Sequence, residues 1–502
     1  MTTAVSLIWL IAIPLVSSPL VYLAGRIHFR SGSQQVNISR WAALLAILAA
    51  DYMVYSIGQA ILASGAITEK IGAISLRFDG ISLALAATVA GLATLVILFS
   101  GPYMAGEDGE EKYYALLLAM TGAMIGLGCA NDLFNLWVWF EAMSIASFTL
   151  VAFYQNQPSS LEAGFKYLVQ SAAGSILVVM GIAIIFAHTG SLALEDVRAQ
   201  ITLSSPSVLA AGALFIIGFG VKAALVPLHT WLPDAHSQAP SGISAMLSAV
   251  VIEAGLIAML RALGAISVSA PMWGSLLLGF GAINMLVGNL MALRQTQVKR
   301  LLAFSSLSHI GYILLGFGTA IAFNQLDGGA GGFFHLINHA LMKGLAFLAA
   351  GSLLYSLYIA RGHHGPLMLD DLNGASRRYP LAALALSIAV LSLGGLPPLA
   401  GFMSKWQIFV AGFQTHNTVI ILLVIFAALN SVLSLGYYAP LVNRLYRTAP
   451  SQHVLDGERS GFIMSIPLVV LTLTIVVLGF WPSLLNGLTY PAGRALLTVF
   501  GY

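Results

Sequence analysis

Six side chains in this sequence combine proton chemistry with surroundings that should forbid charge. Glu141 lies in WFEAMSIASF, Lys222 opens KAALVPLHTWLPDAHSQAP, Glu253 sits in an apolar run that starts at Ser241, and Lys405 is the penultimate residue of LPPLAGFMSKW. His335 and His339 stand four residues apart in FHLINHALMKGLAFL, with Lys343 a further four on, so the three share one helix face. His309 in VKRLLAFSSLSHIGY, Lys343, and His229 between Pro227 and Pro233 are lesser candidates. Burial disfavours the charged form of an acid or a lysine, and a nearby opposite charge restores it. A Glu and Lys pair can then exchange protons near neutral pH, which is the chemistry of a proton wire. Plainer roles compete: Lys343 snorkelling to an interface, His309 linking helices by hydrogen bonds, and His335 with His339 as packed, satisfied groups. The two histidines could also hold a metal or haem, but no Cys, Asp or Glu nearby completes a ligand set. No metal and no cofactor is expected.

These residues count as buried because of what surrounds them. Charged residues are 8% of the 502, apolar ones 58%, and the mean hydropathy is +0.89. No water-facing surface can be built from that composition, so the chain is expected to be an all-α integral membrane protein. The net charge of +3 carries no nucleic-acid signal, since the basic residues are scattered and form no run. A single cysteine, Cys129, excludes disulfides, CxxC zinc sites and cysteine-ligated iron–sulfur clusters, so any redox chemistry is done elsewhere.

A spanning helix takes about 20 apolar residues. Cutting at charged, Pro and Gly-Asn positions gives fourteen such segments, from 4–24 through 113–129, 132–154, 208–228, 241–263, 301–322, 332–358 and 380–403 to 462–485. The first has no preceding Lys or Arg and is expected to be a retained helix, not a signal peptide. With both termini outside, the cytoplasmic loops hold fourteen basic residues, Lys299 among them, against five outside: Lys70, Arg77, Arg198, Arg261 and Arg494. The positive-inside rule favours that orientation. Lys222, Lys343 and Lys405 fall within apolar segments. Asp79 and Asp132, at segment ends, are expected to be solvated caps; Asp51, mid-segment, is harder to dismiss.

Segments seven and twelve are interrupted, at Pro227 and Pro233 and at Pro397 and Pro398, and each carries one of the lysines. They lie five spans apart. Because five is odd, a repeat of that period places its copies upside down in the membrane, with ion sites at the two breaks. The expected organisation is residues 1–112 as three N-terminal spans, 113–263 and 264–446 as two inverted five-helix half-channel repeats, and 447–502 as a C-terminal span and tail.

In order and spacing, DGISL, WFEAMSIASF, KAALVPLHTWLPDAHSQAP, VKRLLAFSSLSHIGY, FHLINHALMKGLAFL and LPPLAGFMSKW resemble the antiporter-like proton channel subunits. That superfamily comprises subunits of respiratory complex I, the group 4 membrane-bound hydrogenases and Mrp sodium/proton antiporters. The resemblance covers roughly residues 75 to 450. It implies that Glu141 and Lys222 form the first half-channel pair, that Lys405 is the exit-side lysine of the second, and that His335 and His339 belong to the polar axis between them. Relatives usually carry Lys or His where this chain has Glu253, which suggests an acid in place of the linking base, with Lys222 its nearest cation by connectivity and the His335, His339 and Lys343 stripe the second. The implied protein is a proton-translocating subunit, without redox cofactor, of a complex I-type NADH:quinone oxidoreductase, a related hydrogenase or an Mrp-type antiporter. Its partners would be other membrane subunits, protons, sodium in the antiporter case, and the lipid of a prokaryotic cell membrane. The alternative is a stand-alone secondary transporter, or a proton-coupled partner in uptake of a small solute such as inorganic carbon.

Overall fold

In hydrocarbon a backbone has no water to bond, so long apolar runs satisfy their own N–H and C=O groups as helices. The computed structural model describes residues 6–27, 29–31, 34–36, 38–72 and 74–502. Ala4 and Val5, at the start of the first expected segment, lie outside the described residues. The chain opens with α1 (Ile8–Arg26), α2 (Ser39–Ser64), α3 (Gly80–Tyr103), α4 (Glu110–Cys129), α5 (Leu133–Val151), α6 (Pro158–Thr189) and the short α7 (Leu194–Gln200). Next come α8 (Pro206–Lys222) and α9 (Trp231–Gln238), then α10 (Ser241–Met246), which runs through a π-type turn at Leu247–Val251 into α11 (Ile252–Ala265). After α12 (Ala270–Ala292), α13 (Val298–Phe323) and α14 (Leu326–Leu357), a second interrupted pair follows as α15 (Pro380–Gly394) and α16 (Ala400–Gln414). The chain ends with α17 (Thr418–Leu445), α18 (Gln452–Asp456), α19 (Phe462–Phe480) and α20 (Asn486–Val499).

Among the described residues, twelve helices are long and apolar enough to cross a membrane, and α8 and α15 are shorter apolar helices. This is an α-helical, multi-pass membrane protein. Its most apolar stretches of α10–α11 and of α13 are wholly enclosed by other helices, whereas those of α1 and α17 are only 22% and 28% buried. Every polar group on α11, and on α13 every one beyond Arg300 in its first turn, is therefore held inside protein, away from lipid.

Two features escaped the composition-based reading. Antiparallel hairpins pair Phe29–Ser31 with Gln34–Val36 and Ile67–Ile71 with Ile74–Phe78. The amphipathic α20 packs on α3 and α14, where Gly80 leaves room for the Pro491 carbonyl; a Cβ there would come within 2.3 Å of it.

Asp79 does cap α3, accepting from the N–H groups of Ile81 and Ser82 at 3.0 and 3.1 Å, but it is not solvated. It is 3% exposed and holds both terminal nitrogens of Arg261 at 2.7 Å. Arg261, counted with the loop charges, is itself buried near the end of α11; it reaches the start of α3 because that cap supplies a carboxylate. Asp132 caps α5 through Asn135, and Asp51 is satisfied by the Thr94 hydroxyl at 2.6 Å. Cys129 is buried.

Candidate functional site

The first break gives Lys222 its position. The last turn of α8 leaves carbonyls without helical partners, and Trp231 Nε1, from the start of α9, takes that of Val221 at 2.7 Å. Asn284 of α12 clamps the unwound stretch from the other side, accepting from Val226 N at 2.9 Å and donating to Ala224 O at 3.1 Å. Ala224 adopts a positive φ of 54° there. Lys222 has no solvent exposure, and its Nζ donates to the hydroxyls of Tyr167 (2.9 Å) and Ser171 (3.3 Å) on α6. It lies 4.3 Å from the centre of the Tyr167 ring, which stacks on Trp231 at 3.9 Å. Hydroxyls and ring faces thus surround this buried lysine, and among the described residues no carboxylate touches it.

Glu141 is within electrostatic reach of Lys222 without contacting it. It stands partly buried in mid-α5, its Oε1 buried without a hydrogen-bond partner among the described residues. The exposed residues flanking it on the same face are apolar: Phe134, Val138 and Ile145.

The second break repeats the device with other residues. Lys405 Nζ, in the second turn of α16, donates to Leu393 O at 2.8 Å, one of the unpaired carbonyls ending α15, and to Ser431 Oγ at 2.9 Å. A cation at a helix C-terminus is favoured by the helix dipole. The Tyr312 ring centre lies 4.4 Å from Nζ. Asn338 of α14 holds the start of α16 by donating to Ala400 O at 3.2 Å.

Between the breaks, four titratable side chains form one connected file. Glu253 Oε1 meets His339 Nδ1 at 2.8 Å. His339 stacks against His309 with ring centres 5.3 Å apart, and His309 Nδ1 meets His335 Nε2 at 3.0 Å. His335 Nδ1 then meets Ser404 Oγ at 2.8 Å, and Ser404 is the neighbour of Lys405 in the chain. Glu253, His335 and His339 are fully buried, and His309 is 1% exposed. The π-type turn just before Glu253 sets its angular position on α11. The partner of Glu253 is thus the histidine stripe, not Lys222, its nearest cation by connectivity. The helices of Glu253 and Lys222 nevertheless touch, since a Cβ on Gly255 would come within 2.9 Å of the Lys222 side chain.

Lys343 bonds across to α13, donating to Leu302 O at 2.8 Å and to Ser305 Oγ. His229 stays in the first break, its ring 6.4 Å from that of Phe304, and makes no bond to the file among the described residues. Two residues that sequence reasoning passed over belong here. Lys299, assigned to a loop, is 4% exposed and donates to Ala239 O at 2.6 Å. It lines a cavity of about 320 Å³ with Tyr103, Tyr154, Gln238 and His364. His236 is fully buried on Phe347, with neither ring nitrogen bonded among the described residues, and has Lys299 and Lys343 as its charged neighbours. The available signal for His236 was its place in the proline-broken segment; for Lys299 it was the apolar run that follows directly. Among the described residues no group of three or more His, Cys, Asp or Glu is placed to hold a metal.

Fold and site together define a class: multi-pass helical membrane proteins with two broken helices, each carrying a buried lysine, and an interior file of titratable side chains leading from α11 to the second break. Residues 130–431 match the family model described as NADH:quinone oxidoreductase/Mrp antiporter, transmembrane. Residues 72–114 match that of the complex I chain 5 N-terminus. The chain belongs to the NADH:quinone oxidoreductase/Mrp antiporter family. It is 33% identical to F(420)H(2) dehydrogenase subunit N of Methanosarcina mazei, over 92% of this chain and 94% of that one. With NADH-quinone oxidoreductase subunit N of Deinococcus radiodurans it shares 34% identity over 82% of each. A chain of the membrane-bound sulfane sulfur reductase, an archaeal respiratory membrane complex, superposes with a TM-score of 0.86 at 28% identity over 98% of both chains.

Proposed function

We propose that this chain is a proton-translocating, antiporter-like subunit of a multi-subunit membrane complex, of the kind formed by NADH-quinone oxidoreductase or F(420)H(2) dehydrogenase. The observation that carries the reading is the buried file from Glu253 through His339, His309, His335 and Ser404 to Lys405. Each member can accept or donate a proton, and each step is a hydrogen bond, a ring contact or a chain neighbour. Lys222, held by neutral hydroxyls, is the carrier of the first half-channel, with Glu141 biasing its charge. Lys405 is the carrier of the second. Lys299 and His236 link the cavity at the α9–α10 junction to the interior. The two interrupted pairs, each counted as one span, give fourteen spans, and residues 113–263 and 264–446 are the two inverted half-channels. Both termini face outward across a prokaryotic cell membrane.

Membership of a larger complex, and not solitary transport, is favoured by Glu141. Even a partly exposed carboxylate in the middle of a spanning helix is costly against lipid, and a neighbouring subunit removes that exposure. Solubilisation from the native membrane in mild detergent tests this: the chain should co-purify with other membrane subunits. Proton or sodium transport by the purified single chain in liposomes at the rate of native membranes would favour the stand-alone transporter instead.

A further inference from the structure

The structure assigns a site for the phosphate of an anionic membrane lipid at the α15–α19 corner, independent of the proton path. Arg377, Arg378 and Arg459 line one cavity of about 310 Å³ there, with hydroxyls from Ser460 and Ser465. Among the described residues no carboxylate lines it, though Glu458, next to Arg459 in the chain, lies within electrostatic reach of Tyr379. Arg378 is tied to Leu455 O, but neither Arg377 nor Arg459 has a side-chain hydrogen bond or ion pair among the described residues. Tyr379 also lines the cavity; it is 7% exposed, and its hydroxyl has no partner among the described residues.

Two apolar helices start at this point. α15 begins at Pro380 and α19 at Phe462, and neither has a side-chain cap. Each brings unpaired backbone N–H groups and the positive end of its dipole to the same corner. Three guanidinium groups and two uncapped N-termini call for an anion, and planar Arg forks suit phosphate oxygens.

The remaining wall decides between a free phosphate and a lipid. Leu381, Ala382 and Leu468 complete the cavity. Further along the same helices, Leu384 and Val469 are exposed apolar residues, at 47% and 39%. A cationic mouth at the water boundary that continues into apolar helix surface matches a phosphodiester headgroup followed by its acyl chains. Inorganic phosphate would use only the mouth.

The test is native mass spectrometry of the detergent-purified full chain, or of its complex, with phosphatidylglycerol, cardiolipin, phosphatidylcholine or inorganic phosphate added, together with crosslinking by a photoactivatable phosphatidylglycerol. The expected result is one tightly retained anionic lipid, crosslinked within 377–382 or 459–468. Arg377→Gln with Arg459→Gln should lose that lipid, and Arg377→Lys with Arg459→Lys should keep part of the binding while controlling for folding. Phosphatidylcholine should not replace it. Equal retention by the Gln pair, crosslinks confined to other segments of the unsubstituted chain, or displacement of the lipid by millimolar inorganic phosphate would each overturn the assignment.

Discussion

A lysine that gives up and regains a proton needs neighbours that tolerate both states. Lys222 has two hydroxyls and a ring face; Lys405 has a carbonyl, a hydroxyl and a ring face. Lys222→Ala and Lys405→Ala should therefore assemble yet transport at least ~10-fold more slowly in inverted vesicles, which corresponds to about 1.4 kcal/mol on the barrier. The Arg substitutions should fail as well, because a guanidinium does not release its proton in proteins; transport retained by Lys222→Arg would leave only a structural cation. In the file, Glu253→Gln and His309→Leu should slow the same assay, and a Glu253→Leu variant running at the parent rate would remove Glu253 from the path. Glu141, Lys222, Glu253 and Lys405 were legible because each interrupts an apolar run with a charge. Ser404, Tyr167 and Ser171 were not, since neutral hydroxyls are ordinary in membrane helices and only the fold aims Tyr167 and Ser171 at Lys222 and Ser404 at His335.

Prolines announce a break in a helix but not what holds it open, and here the holding falls to Asn284 and Asn338 from neighbouring helices. Asn284→Leu leaves Val226 N and Ala224 O without that partner, at about 1–3 kcal/mol for a buried polar group. It should lower the melting temperature in detergent and slow transport together. A loss of stability with transport intact would separate the clamp from the function. The buried Asp79 and Arg261 pair offers a second check. Burial pushes the Asp79 carboxyl up, yet Arg261, the Ser82 N–H and Arg77 outweigh it and hold it below the usual carboxylate range. An acid depressed in the folded state stabilises the fold above its unfolded pKa of about 3.9 and loses that contribution as pH falls through the folded value. Asp79→Asn should thus melt lower than the parent at pH 7, with the gap narrowing below about pH 4; an equal gap at both would mean that the pair carries no charge-dependent stability. Sequence showed the cap at Asp79 and missed the clamp, because its partner stands 182 residues away.

For the whole molecule, the spans were legible from hydropathy, since lipid permits little besides helices. The hairpins and α20 were not, being short or only half apolar. Orientation rests on loop charge, although two of the charges counted, Lys299 and Arg261, are buried in the protein. Setting them aside removes one from each side and leaves the bias unchanged. Reporter fusions after Arg40 and near Arg377 should give a cytoplasmic signal and fusions at Tyr502 an external one; the reverse pattern would overturn the topology.

The partly exposed Glu141 also bears on the life of the chain before assembly. Until a neighbour covers α5, the free subunit presents an acid at mid-bilayer, where it draws in water and headgroups and locally thins the membrane. If the cell's surveillance of membrane proteins reads such an acid, an orphan copy is recognised as unfinished. In pulse-chase measurements the orphan should turn over faster than the assembled chain, and Glu141→Leu should lengthen its lifetime while abolishing transport. The group that biases the first lysine would then also time the subunit's survival, so that an unassembled proton path is short-lived.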